Sequence, residues 1–147
     1  ILGGDGPERE NLQKLAKILH IEEAVTFAGA LPRENVRLLM AESACFVLSS
    51  YVETFGVVVI EALSQGTPVV ATKCGGPESI IVSGDGILVE VADTNALAQA
   101  MKEVAENPEL YDSDSIRQRC LERFSEKAFI SRVKEIYKHC IAENINA

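Results

Sequence analysis

ETFGVVVIEALSQGTPVVAT, residues 53–72, sets two carboxylates, Glu53 and Glu61, eight positions apart around a Phe-Gly turn that opens an apolar helix and leads into a β-branched strand. With the helix starting near Gly56, a rise of about 1.5 Å per residue separates the acids by roughly 12 Å, too far for one small group to touch both. A glycosidase acid/base pair stands about 5 to 10 Å apart across a single bond, so the spacing fits a grip on two ends of one ligand better than paired hydrolysis. Between the acids lie the first N–H groups of the helix, unpaired within it and at the positive end of its dipole, where a pyrophosphate is stabilised. A long, anionic, hydroxyl-rich molecule such as a nucleotide-sugar matches that order of groups.

On either side, short β-branched segments alternate with amphipathic ones, the pattern of repeated βα units and therefore of a parallel sheet. Strands are expected at 24–28, 44–49, 68–72 and 86–91. A first helix is expected from Pro7, with Leu12, Leu15, Ala16 and Leu19 on one face, and a second after Pro32, with Val36, Leu39 and Met40 inward. Asp93 is placed to cap a helix in which Leu97, Met101 and Val104 recur at helical spacing. Beyond Pro108 the chain is expected to be helical to its end, with Ile130, Val133, Ile136, Tyr137, Cys140 and Ile141 as one apolar stripe that reads as core packing. The fold class is α/β, a Rossmann-like parallel sheet flanked by helices.

At 147 residues the chain has the size of one ordinary domain. No run of about 18 apolar residues offers a membrane span; the longest stretch, residues 55–63, is broken by Gly56 and Glu61 and reads as a buried helix. A net charge of −8 without clustered Lys and Arg argues against a nucleic-acid surface, while one diphosphate can still be held by local backbone dipoles. Cys45, Cys74, Cys120 and Cys140 show no Cys-x-x-Cys and no pairing with His20 or His139, so they read as free thiols in a reducing cytosol, with neither zinc nor redox spacing. The first residues, Ile1 to Gly4, look like the tail of a strand entering a turn, as if a preceding strand and helix were missing.

The run SSYVETFGVVVIEALSQGTPVVATKCGG, residues 49–76, resembles the donor-site signature of family 4 of the retaining glycosyltransferases (glycosyl transferases group 1). Enzymes of that family pair two Rossmann-like domains in the GT-B arrangement. The likeness extends from the Gly4-Asp5-Gly6-Pro7 turn through Gly86-Ile87-Leu88-Val89, and Ser49 and Thr54 stand where proline is frequent, without removing a group the chemistry needs. The resemblance implies that residues 1–124 are a C-terminal, donor-binding domain without its first βα unit, which in the family carries an Arg and a Lys that clamp the pyrophosphate. It implies that residues 125–147 are a helix packing on that domain or reaching to an N-terminal domain that binds the acceptor.

Site roles follow from the same likeness. Glu53 is implied to hydrogen-bond the donor-sugar hydroxyls, with covalent nucleophile as its alternative role, and Glu61 to accept from the ribose hydroxyls. Thr54, Phe55, Gly56, Val57 and Val58 would bring main chain to the diphosphate, stabilising the leaving group without a metal or other cofactor. Main chain at Ala28, Gly29 and Leu31 is implied to meet the nucleobase, though a plain strand end explains those residues as well. Gly4, Asp5 and Gly6 either cradle phosphate or are turn chemistry. Gly75 and Gly76, before Pro77 and Glu78, either face the ligand at the carboxyl edge of the sheet or form a tight turn into a helix.

Blander readings stand beside these. An acid before a helix is often only a partner for its dipole, Arg33, Arg37 and Lys73 read as solvated cations, and Asp112-Ser113-Asp114 reads as a polar linker whose likeness to a metal motif is coincidental. The favoured function is the donor domain of a hexosyltransferase acting from a nucleotide-diphosphate sugar on a glycan, lipid or small acceptor, cytoplasmic or at the cytosolic face of a membrane, with this stretch inactive by itself. The alternatives are a sugar-nucleotide epimerase of the same fold and a non-catalytic nucleotide-binding module.

Overall fold

The computed structural model describes residues 1–145, so the last two residues of the expected C-terminal segment lie outside it. The chain divides into two compact units, residues 1–39 and 40–147.

The first unit contains β1 (Leu2–Gly3), α1 (Arg9–Ile18), a 3-10 turn (Glu22–Ala24), β2 (Phe27–Gly29) and most of α2 (Arg33–Glu42), whose last turn belongs to the second unit. β1 and β2 pair in parallel, Leu2 opposite Phe27 and Gly3 opposite Gly29. Helix α1 starts two residues later than Pro7, which sits in the preceding turn, closed by Arg9 N–H on Gly6 O at 3.1 Å. The strand expected at 24–28 starts only at Phe27, because the acidic Glu22-Glu23 pair winds into the 3-10 turn. The expected inner face of α1 is buried only at Ala16; Leu12, Leu15 and Leu19 are about half exposed. A ladder of two short strands has too little surface to cover a row of leucines.

In the second unit come β3 (Phe46–Leu48), α3 (Val57–Ser64), β4 (Val69–Thr72), α4 (Gly76–Ile80), β5 (Gly86–Val89), α5 (Thr94–Glu106), a 3-10 turn (Pro108–Leu110), α6 (Ser113–Phe124) and α7 (Glu126–Ile145). The sheet runs β3-β4-β5, parallel throughout, with Val47 opposite Val70 and Val70 opposite Ile87. β4, hydrogen-bonded on both edges, is buried along its whole length, as a near-continuous β-branched run requires of a central parallel strand. Val70 and Val89 pack with Ala100 and Val104 of α5, and Cys45, Val47, Ile87 and Leu97 close around them. Ala100 takes the buried place expected of Met101, which is 41% exposed. Asp93 caps α5 as expected, accepting from Ala96 N–H at 2.9 Å.

Helix α6 ties the unit together in a way the pattern of apolar residues did not announce. Its arginines reach carbonyls that helices and turns leave unpaired at their ends: Arg117 donates to Gln65 O after α3, Arg123 to Ser79 O and Ile80 O at the end of α4, and Arg119 to Gly84 O. Asp112-Ser113-Asp114 is not a linker but the start of this helix, with Asp112 accepting from Ser115 N–H at 2.9 Å. Bonding to the Ser115 side chain, and then to its backbone N–H, holds the Asp112 carboxyl below the usual aspartate range. A carboxyl whose folded pKa lies below its unfolded one contributes stability above the unfolded value and loses it as the pH falls through the folded one. The stability deficit of Asp112→Ala, measured by urea unfolding, is therefore expected to be full at neutral pH and to shrink as the pH drops below about 4; a deficit independent of pH would exclude this role.

The apolar stripe of α7 is not core. Ile130, Ile136, Tyr137 and Ile141 are 41–65% exposed and Cys140 is exposed, leaving only Val133 half-buried. All four cysteines are free thiols, and burial pushes the Cys45 and Cys120 thiols up from their ordinary values, away from the thiolate form. No helix among the described residues is long and apolar enough to cross a membrane.

Candidate functional site

A close approach of two backbones lies where the chain leaves β3 and β4. The Thr72 hydroxyl at the end of β4 donates to Ser50 O at 2.6 Å, fixing the loop that leaves β3. Glu53 is then gripped on both sides by the turn after β4: its N–H donates to Cys74 O at 2.9 Å and its carbonyl accepts from Gly76 N–H at 2.7 Å, making an isolated parallel bridge with Gly75. The contact is so close that it dictates glycine. A Cβ on Gly75 would lie 2.6 Å from Glu53 O, and one on Gly76 would lie 2.1 Å from Phe55 O. This is the tight-turn reading of Gly75 and Gly76, and it places them directly behind the candidate acid.

From Glu53 the chain turns into α3 through Gly56, whose φ of 90° and ψ of 45° are left-handed. The half-buried Glu53 side chain folds over the start of the helix, one oxygen accepting from Phe55 N–H at 3.3 Å and from Gly56 N–H at 3.1 Å. The next two donors, the N–H groups of Val57 and Val58, have no acceptor among the described residues. Both the dipole-partner role of Glu53 and a pair of open amides beside it are thus realised. The expected burial of residues 55–63 holds only for one face: Val59, Ala62 and Leu63 are buried, whereas Phe55 and Val57 are more than half exposed; Thr54, just before them, is exposed as well. Four β-branched residues in a row are poor helix formers; packing of that one face, against β3, β4 and α6, makes the segment helical. Glu61, the fifth residue of α3, is half-buried, with its carbonyl accepting from the Ser64 hydroxyl.

Glu53, Phe55, Gly56, Val57 and Val58 are therefore brought together with Gly75 and Gly76. The candidates Gly4, Asp5, Gly6, Ala28, Gly29 and Leu31 form a group of their own in the first unit. Gly4 N–H donates to Gly29 O at 2.8 Å, joining the Gly4-Asp5-Gly6 turn to the end of β2, and the Asp5 carboxylate accepts from Gly6 N–H at 2.9 Å. Ala28 and Gly29 are half-buried in β2, and Leu31 follows them. Lys73 is committed to Glu90 and Arg37 to Glu34. The surface groove lined by Glu126, Lys127, Ile130, Ser131 and Lys134 of α7 contains none of these residues.

Two residues were missed. Arg9 donates to Phe27 O and lies 3.9 Å from Asp5, cross-linking the turn and β2; an arginine in the first turn after a glycine-rich loop was the available signal. Glu78 accepts from Gly75 N–H with both carboxylate oxygens, at 3.1 and 3.0 Å, and an acid three residues past a glycine turn was visible as a capping pattern.

The family model for glycosyl transferases group 1 matches residues 1–119. The chain is 35% identical, over 99% of its length, to the N-acetyl-alpha-D-glucosaminyl L-malate synthase of Bacillus anthracis, of which it covers 39%. Among solved structures, the sucrose-phosphate synthase of Thermosynechococcus elongatus superposes with a TM-score of 0.79 at 30% identity, over 96% of this chain and 37% of that one. Anabaena HepE in complex with UDP does so with 0.79 at 26%, over 94% and 40%. The chain thus spans about two fifths of the length of these relatives. By its matched residues and by its α/β fold, the one found in GT-B enzymes, it belongs to the group 1 glycosyltransferases.

Proposed function

We propose that this chain holds the nucleotide-diphosphate sugar of a retaining, metal-independent hexosyltransferase whose acceptor is a glycan, lipid or small molecule bound elsewhere in the protein. The observation that carries the reading is the juxtaposition of a backbone-clamped carboxylate, Glu53, with the open Val57 and Val58 amides at the mouth of α3. As the bond from sugar to diphosphate breaks, negative charge grows on the leaving group and oxocarbenium character on the sugar. Fixed N–H groups at a helix start stabilise that charge with no reorganisation. Glu53 accepts from sugar hydroxyls and Glu61 from the ribose diol, each as a charged acceptor. The relatives support a nucleotide-sugar: HepE has been solved with UDP and with UDP-glucose.

Titration calorimetry with UDP, GDP and ADP and their sugar conjugates, on protein carrying residues 1–147, tests this. Glu61→Ala is expected to weaken nucleotide and nucleotide-sugar alike by about tenfold, the worth of roughly 1.4 kcal/mol of lost charged hydrogen bonding. Glu53→Gln is expected to remove only the increment that the sugar adds. Failure of every nucleotide to bind would overturn the proposal, and nucleotide binding with no sugar increment would favour a non-catalytic module.

A further inference from the structure

We infer that Glu78 is a positioning residue for Glu53, acting through the glycine turn between them, an inference that rests on the donor-binding reading of Glu53. The chain of contacts is continuous. Both oxygens of Glu78 hold Gly75 N–H, Gly76 N–H holds Glu53 O, and Cys74 O holds Glu53 N–H. Gly75 has φ 122° and ψ −92°, a conformation that side-chain-bearing residues avoid and that a flexible turn abandons unless something retains it. Here the retaining group is a carboxylate three residues on, exposed to solvent and without any other hydrogen bond among the described residues. Glu78 caps a helix of only five residues, whose own stability asks little of a cap. Its tight hold on one N–H has its larger consequence at the bridge of Gly75 with Glu53. Release of Gly75 frees the Cys74-Gly76 turn to relax, and the Glu53 backbone loses the frame that sets its carboxylate beside the Phe55 and Gly56 amides. The nucleotide end of the ligand, assigned to Glu61 further along α3, does not depend on that frame.

Two measurements on protein carrying residues 1–147 decide the matter. In amide hydrogen exchange, Glu78→Ala is expected to speed exchange at Glu53 and Gly76 by at least tenfold while Val70, Ala71 and Thr72 of β4 keep their protection. Uniform acceleration, or none, would overturn the inference. In calorimetry, Glu78→Ala is expected to weaken a nucleotide-sugar about tenfold and the bare nucleoside diphosphate less than twofold, with Glu78→Gln, which retains one accepting oxygen, falling between. Equal losses for both ligands would mark Glu78 as merely structural and reject a positioning role. Wild-type protein that binds no nucleotide-sugar would overturn the functional reading and this role with it, whereas full binding by Glu78→Ala would reject only the role of Glu78.

Discussion

Gly76→Ala is expected to disrupt the site without removing any group that touches a ligand. The new methyl would lie 2.1 Å from Phe55 O, inside the 3.0 Å limit that real Cβ contacts respect, so one of the two backbones must retreat by about 1 Å. The obstacle is main chain, which has no rotamer to escape into. Retreat also breaks the 2.7 Å bond from Gly76 N–H to Glu53 O. Overpacking and one lost buried hydrogen bond together cost about 3 kcal/mol, which for a domain of this size lowers the melting temperature by about 10 °C. Donor affinity is expected to fall by more than tenfold in the fraction that remains folded, because Glu53 and the Phe55 amide move together. Gly6→Ala is the matched control: nothing lies within 4 Å of a Cβ there, and its φ is not in the left-handed range. Near-identical thermal unfolding of the two variants would show that the close approach behind Glu53 does not exist.

How much of this was legible in the sequence depends on the range of the interaction. Local periodicity located β3, β4, β5 and most helices and overlapped β2, β1 was read only as the tail of a strand, and the register of Glu53, Gly56 and Glu61 about the start of α3 followed from spacing alone. Ends were misjudged where one residue overrules a pattern, as with Pro7, whose place in the turn delays α1, and Asp112, whose side chain starts α6 in what looked like a linker. Which apolar faces are covered was not legible, since a leucine row on α1 and an isoleucine row on α7 satisfy helical spacing whether or not anything packs on them. Nor did composition distinguish a glycine needed for dihedral freedom, Gly56, from one needed for lack of a side chain, Gly76; only the approach of the Phe55 carbonyl separates them. Long-range polar pairs were hidden for the same reason. Nothing in the segment around Asp85 announces that an arginine 34 positions later will reach it.

That pair carries the other large effect. Asp85 is 1% exposed, yet it is a carboxylate in the turn between α4 and β5. Arg119 meets one of its oxygens through Nε at 2.8 Å and Nη2 at 2.7 Å, Val82 N–H approaches the other at 3.4 Å, and the Asp85 carbonyl accepts from Val69 N–H at the start of β4. The residue therefore ties α6, the turn and the central strand at one point. A buried ion pair adds little net stability over a well-packed apolar substitute, but removing one partner strands the other, at about 3 to 5 kcal/mol. The Arg119 side chain is 33% exposed and can partly rehydrate, so Asp85→Ala is expected near the lower end, about 3 kcal/mol. The double variant Asp85→Ala with Arg119→Ala is expected to be less destabilised than the sum of the two single ones, with a coupling of about 1 to 3 kcal/mol, because no unpaired guanidinium then remains against Gly84 O. Urea unfolding of the four proteins gives that coupling directly. Additive losses would mean that Asp85 acts through its fit in the turn and not through Arg119, whose hold on α6 would then rest on its bond to Gly84 O.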